Sequence, residues 1–91
     1  MDDDWDTLSF VLRSDYRLRV LERLFEGPAT PSQLATDTGI AITHVSRSLS
    51  DLREQEMVEL LVSEEQRKGR VYGITERGER VWRRLNAEGL V

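Results

Sequence analysis

A glycine at position 39 divides two short amphipathic segments, and that division constrains the fold more than any other feature of the chain. Upstream, Thr30-Pro31-Ser32-Gln33 reads as a helix start. Thr30 can accept a hydrogen bond from an unsatisfied backbone N–H, Pro31 sits where a missing N–H costs nothing, and Gln33 completes a capping box. Leu34 and Ala35 are expected to face inward. Gly39 then stops the helix, because only glycine enters the left-handed C′ conformation without a Cβ penalty. After the turn Ile40-Ala41-Ile42 a second helix is predicted over residues 42–56. Val45, Leu49 and Leu52 share one face of it, and Met57 and Val58 close the pattern. The opposite face carries Thr43, Arg47, Ser50 and Glu54, with His44 and Ser46 on the flanks. A helix with a packed back and a short, hydrogen-bonding, cation-bearing front suits a DNA major groove. Its one weak point is Ala41, a poor N-cap where an absent serine or threonine typically costs about 1 kcal/mol.

The flanking segments complete a small domain. Residues 1–6 form an acidic N-terminus expected to be disordered, and residues 7–91 a single domain. Asp6 or Thr7 is placed to cap a short helix through Leu8, Phe10, Val11 and Leu12. Ser14 reads as a fresh cap, so residues 7–26 form either one bent helix or two pieces. From Asp15 to Glu26 the apolar stripe is Leu18, Leu21, Leu24 and Phe25, with Val20 at its edge and Arg17, Arg19, Glu22 and Arg23 mostly outside. Past Val58 the period changes from helical to alternating. Residues 58–63 and 70–75 read as two strands, joined by the polar tip Glu64-Glu65-Gln66-Arg67-Lys68-Gly69. Thr75 then caps a last helix from about Glu76 to Asn86 or Ala87, with Val81, Trp82 and Leu85 as its apolar stripe. The fold class is therefore mainly α with a small β hairpin, in α-α-α-β-β-α order plus an extra N-terminal helical segment.

Composition bears on partners. The formal net charge is −4, which argues against a nucleic-acid binder until its distribution is considered. Asp2, Asp3, Asp4 and Asp6 supply four of the 17 acids, so the remainder balances 13 acids against 13 bases. Of those bases only Lys68 is not arginine, the residue suited to planar contacts with phosphate and guanine. An acidic, lysine-poor chain also fits a salt-adapted halophile. With no cysteine and one histidine, disulfides, thiolate metal sites and a multi-histidine site within one chain are all removed. No apolar run approaches a membrane span and no signal peptide is recognisable, so a cytoplasmic protein is expected. Neither a nucleophile with its base nor a glycine-rich phosphate loop is present. The expectation is a non-enzyme without cofactor or metal.

The order of elements is that of a winged helix-turn-helix, and three stretches resemble the ArsR-like and MarR-like repressor families, especially small archaeal regulators of that type. Arg17-Leu18-Arg19-Val20-Leu21 is similar to the family's first core helix. Pro31-Ser32-Gln33-Leu34-Ala35, Gly39-Ile40 and His44-Val45-Ser46-Arg47-Ser48-Leu49, with Leu52 and Met57-Val58, are similar to its helix-turn-helix. Gly69-Arg70-Val71-Tyr72-Gly73-Ile74-Thr75-Glu76-Arg77-Gly78 resembles the returning wing strand and the cap behind it. The resemblance implies that Thr43, His44, Ser46, Arg47 and Ser50 meet base edges and nearby phosphates. It implies that Arg67, Lys68 and Arg70 touch the backbone or minor groove. It further implies a two-fold homodimer through terminal helices, for which Trp5, Phe10 and Trp82 are the candidate interface. The metal-sensing cysteine pairs and the long helices of larger relatives are missing, so no effector is implied. Two functions follow: a sequence-specific transcriptional regulator acting on double-stranded DNA, or the same fold docking on transcription or chromosome machinery.

Overall fold

Each of three helices starts on a hydroxyl that the sequence supplies. The computed structural model describes residues 5–62 and 69–91, with backbone only at Val62. Its elements are α1 (Trp5–Leu12), α2 (Asp15–Phe25), α3 (Pro31–Thr38), α4 (Ile42–Glu54), β1 (Val58–Val62), β2 (Val71–Ile74) and α5 (Glu76–Ala87). Ser14 Oγ accepts from the Arg17 N–H at 3.2 Å and separates α1 from α2, so residues 7–26 form two pieces. At α3 the capping box closes in both directions, Gln33 N–H to Thr30 Oγ1 at 3.1 Å and Thr30 N–H to Gln33 Oε1 at 2.9 Å. Thr75 Oγ1 accepts from the Gly78 N–H at 3.0 Å to open α5. Gly39 ends α3 at φ 75°, as the left-handed stop requires.

Two helix boundaries differ by more than one residue from the sequence expectation. Helix α1 begins at Trp5, ahead of the expected cap, and Thr7 is buried within it. Leu8 and Val11 of this apolar run dock it on the core. The predicted 42–56 helix ends at Glu54, where Glu56 takes a positive φ of 61° and turns the chain into β1.

The core is a single cluster fed by every element. Leu8 and Val11, Val20, Leu21 and Leu24, Leu34, Val45, Leu49 and Leu52, Met57 and Val58, Tyr72, Val81 and Leu85 are all buried within it. The α2 stripe is rotated from the expected one. Val20 is fully buried, Leu18 is only partly so, and Phe25 is 37% exposed. Helix α2 lies between α4 and α5, and a helix covered on two sides buries a wider arc than its own periodicity indicates.

Strands β1 and β2 pair antiparallel with Val58 opposite Ile74, Glu59 opposite Gly73 and Leu60 opposite Tyr72, then slip between Leu60 and Val62. Such a bulge bends a strand and increases its twist. A third segment joins this hairpin: the Ala29 N–H donates to Tyr72 O at 3.0 Å and the Tyr72 N–H to Ala29 O at 2.9 Å. The base of the hairpin is thus tied to the loop that leads into α3. Among the described residues no helix is long and apolar enough to cross a membrane.

Candidate nucleic-acid interface

Helix α4 buries Val45, Leu49 and Leu52 along its back, and α2 and α3 pack against it. At about 100° per residue, Thr43, Arg47, Ser50 and Glu54 then point directly away from the core. Thr43, His44, Ser46, Arg47 and Ser50 are all exposed, on one continuous face. Ser48, which shares their sequence neighbourhood, is 3% exposed and belongs to the packed side. Arg47 makes no hydrogen bond, ion pair or ring contact with any described residue. It stands out because most of the other arginines are engaged. Arg19 pairs with Asp15 at 3.1 Å, Arg23 with Asp37 at 2.8 Å and Arg84 with Glu88 at 3.0 Å.

The two flanks of this face are closed by different elements. On one side α2 supplies Tyr16 and Arg17. The Tyr16 ring stacks on the His44 imidazole with centroids 4.4 Å apart and planes 14° from parallel. One residue on, the Arg17 guanidinium lies 4.0 Å over the Phe10 ring and 3.6 Å from the Asp51 carboxylate. On the other side is the hairpin, where the Arg53 guanidinium lies 6.0 Å from the Tyr72 ring centre. Arg70 is exposed at the start of β2. Arg67 and Lys68, with the Glu64 and Glu65 beside them, lie outside the described residues.

Helix α4 opens without help. Ala41 offers no side-chain cap, and only its carbonyl serves the first turn, accepting from His44 and Val45 N–H at 3.0 Å each. The amides of Ile42 and Thr43 have no such capping acceptor at the end of the helix that leads the exposed face.

The three aromatic residues assigned to a dimer interface lie on two helices, Trp5 and Phe10 on α1 and Trp82 on α5. Trp5 is 60% exposed at the start of α1. Phe10 is half-buried and covered by Arg17 of its own chain. Trp82 is half-buried on α5 and faces Phe25, with ring centres 6.3 Å apart, while Arg83 lies over Phe25 at 5.7 Å. Phe25, Trp82, Arg83 and Asn86 line an open cleft there.

Several engaged side chains carry no signal of their own in the sequence. Tyr16 lies off the apolar stripe, and nothing local marks it as a partner of His44. Asp37 and Asp51 have no motif, yet they bind Arg23 and Arg17 across helix pairs. Arg77 is half-buried and donates to the Gln55 carbonyl at 2.8 Å and to Thr7 Oγ1 at 3.5 Å, tying α5 to α1 and to the end of α4. Among the described residues no group of three or more His, Cys, Asp or Glu is placed to hold a metal ion.

Comparison with known proteins bears on this arrangement. A family model described as "HVO_A0261 N-terminal domain" matches residues 5–88. No curated protein matches the sequence. Among solved structures, a MarR family transcriptional regulator from Silicibacter pomeroyi superposes with a TM-score of 0.72 at 23% identity, over 81% of this chain and 50% of that one. A MarR family regulator from Neisseria meningitidis gives 0.71 at 22% identity, over 85% and 55%. Lactococcus lactis ZitR, a cysteine-to-serine mutant in complex with DNA, gives 0.70 at 20% identity, over 84% and 52%. The fold is the winged helix of these structures, and the chain spans about half of their length.

Proposed function

We propose that this chain, which belongs to the HVO_A0261 N-terminal domain family, is a transcriptional regulator that binds double-stranded DNA. Helix α4 enters the major groove, and the β1–β2 hairpin rests on the backbone or minor groove. The observation that carries this reading is the exposed Thr43–Arg47–Ser50 face, with an arginine that no described residue neutralises. Short hydroxyls beside one guanidinium leave room for a base edge to approach, and Arg47 can present two parallel N–H groups to a guanine. The Thr43 and Ser50 hydroxyls donate to phosphates or to base-edge acceptors on either side, and Ser46 and His44 reach the flanking strands. Arg67, Lys68 and Arg70 supply phosphate contacts from the wing. The winged-helix likeness to ZitR, whose solved structure contains DNA, agrees with this docking.

In this reading the chain acts as a homodimer on a pseudo-palindromic site, with Trp5 and Trp82 at the two-fold contact. Measuring binding to random-sequence duplex DNA over a range of salt concentrations tests the function. Affinity should fall with rising salt, with a slope of log K against log salt of about −0.9 for each phosphate neutralised. Absence of binding at low salt by a folded chain would leave protein docking as the use of the same face.

A further inference from the structure

The stacked pair Tyr16–His44 joins α2 to the first turn of α4, a helix start that lacks the capping side chain found at α2, α3 and α5. Tyr16 is 42% exposed and His44 is exposed, so burial does not account for the contact. Nor does core packing, since neither residue belongs to the hydrophobic cluster. A parallel stack at 4.4 Å covers one face of the imidazole and leaves its edge, with both ring nitrogens, clear of the Tyr16 ring. The next residue of α2 repeats the attachment, because Arg17 meets Asp51 two turns further along the same flank of α4. Val45, Leu49 and Leu52 set the rotation of α4; these two contacts tie its flank to α2, and the first also orients the His44 ring.

We propose that Tyr16 is a positioning residue of the DNA interface: it holds the His44 imidazole edge-outward so that a ring nitrogen meets a phosphate or base beside the Arg47 contact. This rests on the DNA-binding reading above. A free surface histidine would be ordered only on binding, at a cost of roughly 2- to 10-fold in affinity. The stack orders it beforehand, and it needs the aromatic ring of Tyr16 but not its hydroxyl.

The test uses a duplex that the wild-type chain selects from a random-sequence pool, at one fixed salt concentration. Tyr16→Ala should weaken binding about 2- to 10-fold, and Tyr16→Phe should bind like wild type. His44→Ala should weaken binding at least as much, and Tyr16→Ala with His44→Ala should be no weaker than His44→Ala alone. In the NMR spectrum of the free protein, the His44 ring protons should lose their ring-current shift in Tyr16→Ala and keep it in Tyr16→Phe. Tyr16→Gln serves as a second ring deletion should the alanine variant not fold. A folded Tyr16→Ala that binds like wild type overturns the proposal, as do additive losses in the double variant. Equal losses in Tyr16→Phe and Tyr16→Ala also overturn it, by making the phenol oxygen the contact. If the folded wild type selects no duplex, the DNA-binding reading falls and this inference with it, whatever the NMR spectra give.

Discussion

The carbonyl of Met57 occupies the place that a side chain on Gly78 would need. Helix α5 therefore begins against the backbone at the entry to β1, and the Thr75 N–H donates to the same carbonyl at 3.0 Å. Alanine inside a helix is ordinarily better than glycine by about 1 kcal/mol. Here Gly78→Ala should instead destabilise by about 1–3 kcal/mol, because the added methyl meets backbone and Ile74 rather than solvent. A thermal melt checks this, and an unchanged or higher Tm would contradict it.

The Arg17–Asp51 pair should matter more than most surface pairs. The Arg17 side chain is 16% exposed, and its Nε has no hydrogen-bond partner, so removing Asp51 leaves a largely buried guanidinium with little compensation. Asp51→Asn should lower stability by about 1 kcal/mol, or roughly 4–8 °C in Tm for a domain of this size. In an Arg17→Met background, which keeps an apolar chain over Phe10, the same change should cost almost nothing. Equal losses in both backgrounds would show that the pair is not coupled.

Arg47→Ala should leave the melting temperature nearly unchanged, because an exposed helix position loses little. Binding to the selected duplex should weaken by about 1–3 kcal/mol while binding to random DNA falls less. Arg47→Lys should restore little of the ratio, since an ammonium cannot reproduce a planar two-pronged contact. Titrations on both duplexes decide the point. Equal losses would make Arg47 a phosphate contact.

The homodimer carries its own expectation. Sedimentation equilibrium at micromolar concentration should give a dimer, and Trp82→Glu should give monomer. Trp82 packs partly against the core, so Trp5→Glu is the cleaner variant at a residue 60% exposed. A folded wild-type monomer at high concentration would remove the two-fold contact.

Most of the architecture was legible because it is set by neighbours in the chain. Thr30 and Gln33 close their box within one turn, Gly39 stops its helix by its own backbone, and Thr75 caps the helix that follows it. Each needs only residues three or four positions away. The face of α4 was legible for the same reason, since Val45, Leu49 and Leu52 fix which side is buried. What escaped depends on residues far apart in sequence. Val20 and Phe25 exchanged places because α4 and α5 set which arc of α2 is covered. Arg17 and Arg23 were expected mostly outside, and each meets a carboxylate on another helix. Tyr16 and His44 are separated by the whole of α3 and both of its flanking turns. No periodicity encodes that pairing.

The missing side-chain cap at Ala41 sets the start of α4 apart from those of α2, α3 and α5, each of which has one. Hydrogen exchange should be faster at Ile42 and Thr43 than at the capped helix starts, while the Tyr16 stack holds His44 beside them. Exchange is slowed by anything that offers an acceptor to those amides. The two amides that stay open in water are then the ones that a negatively charged surface would cover, so exchange at Ile42 and Thr43 becomes a readout of contact rather than a fixed property of the fold.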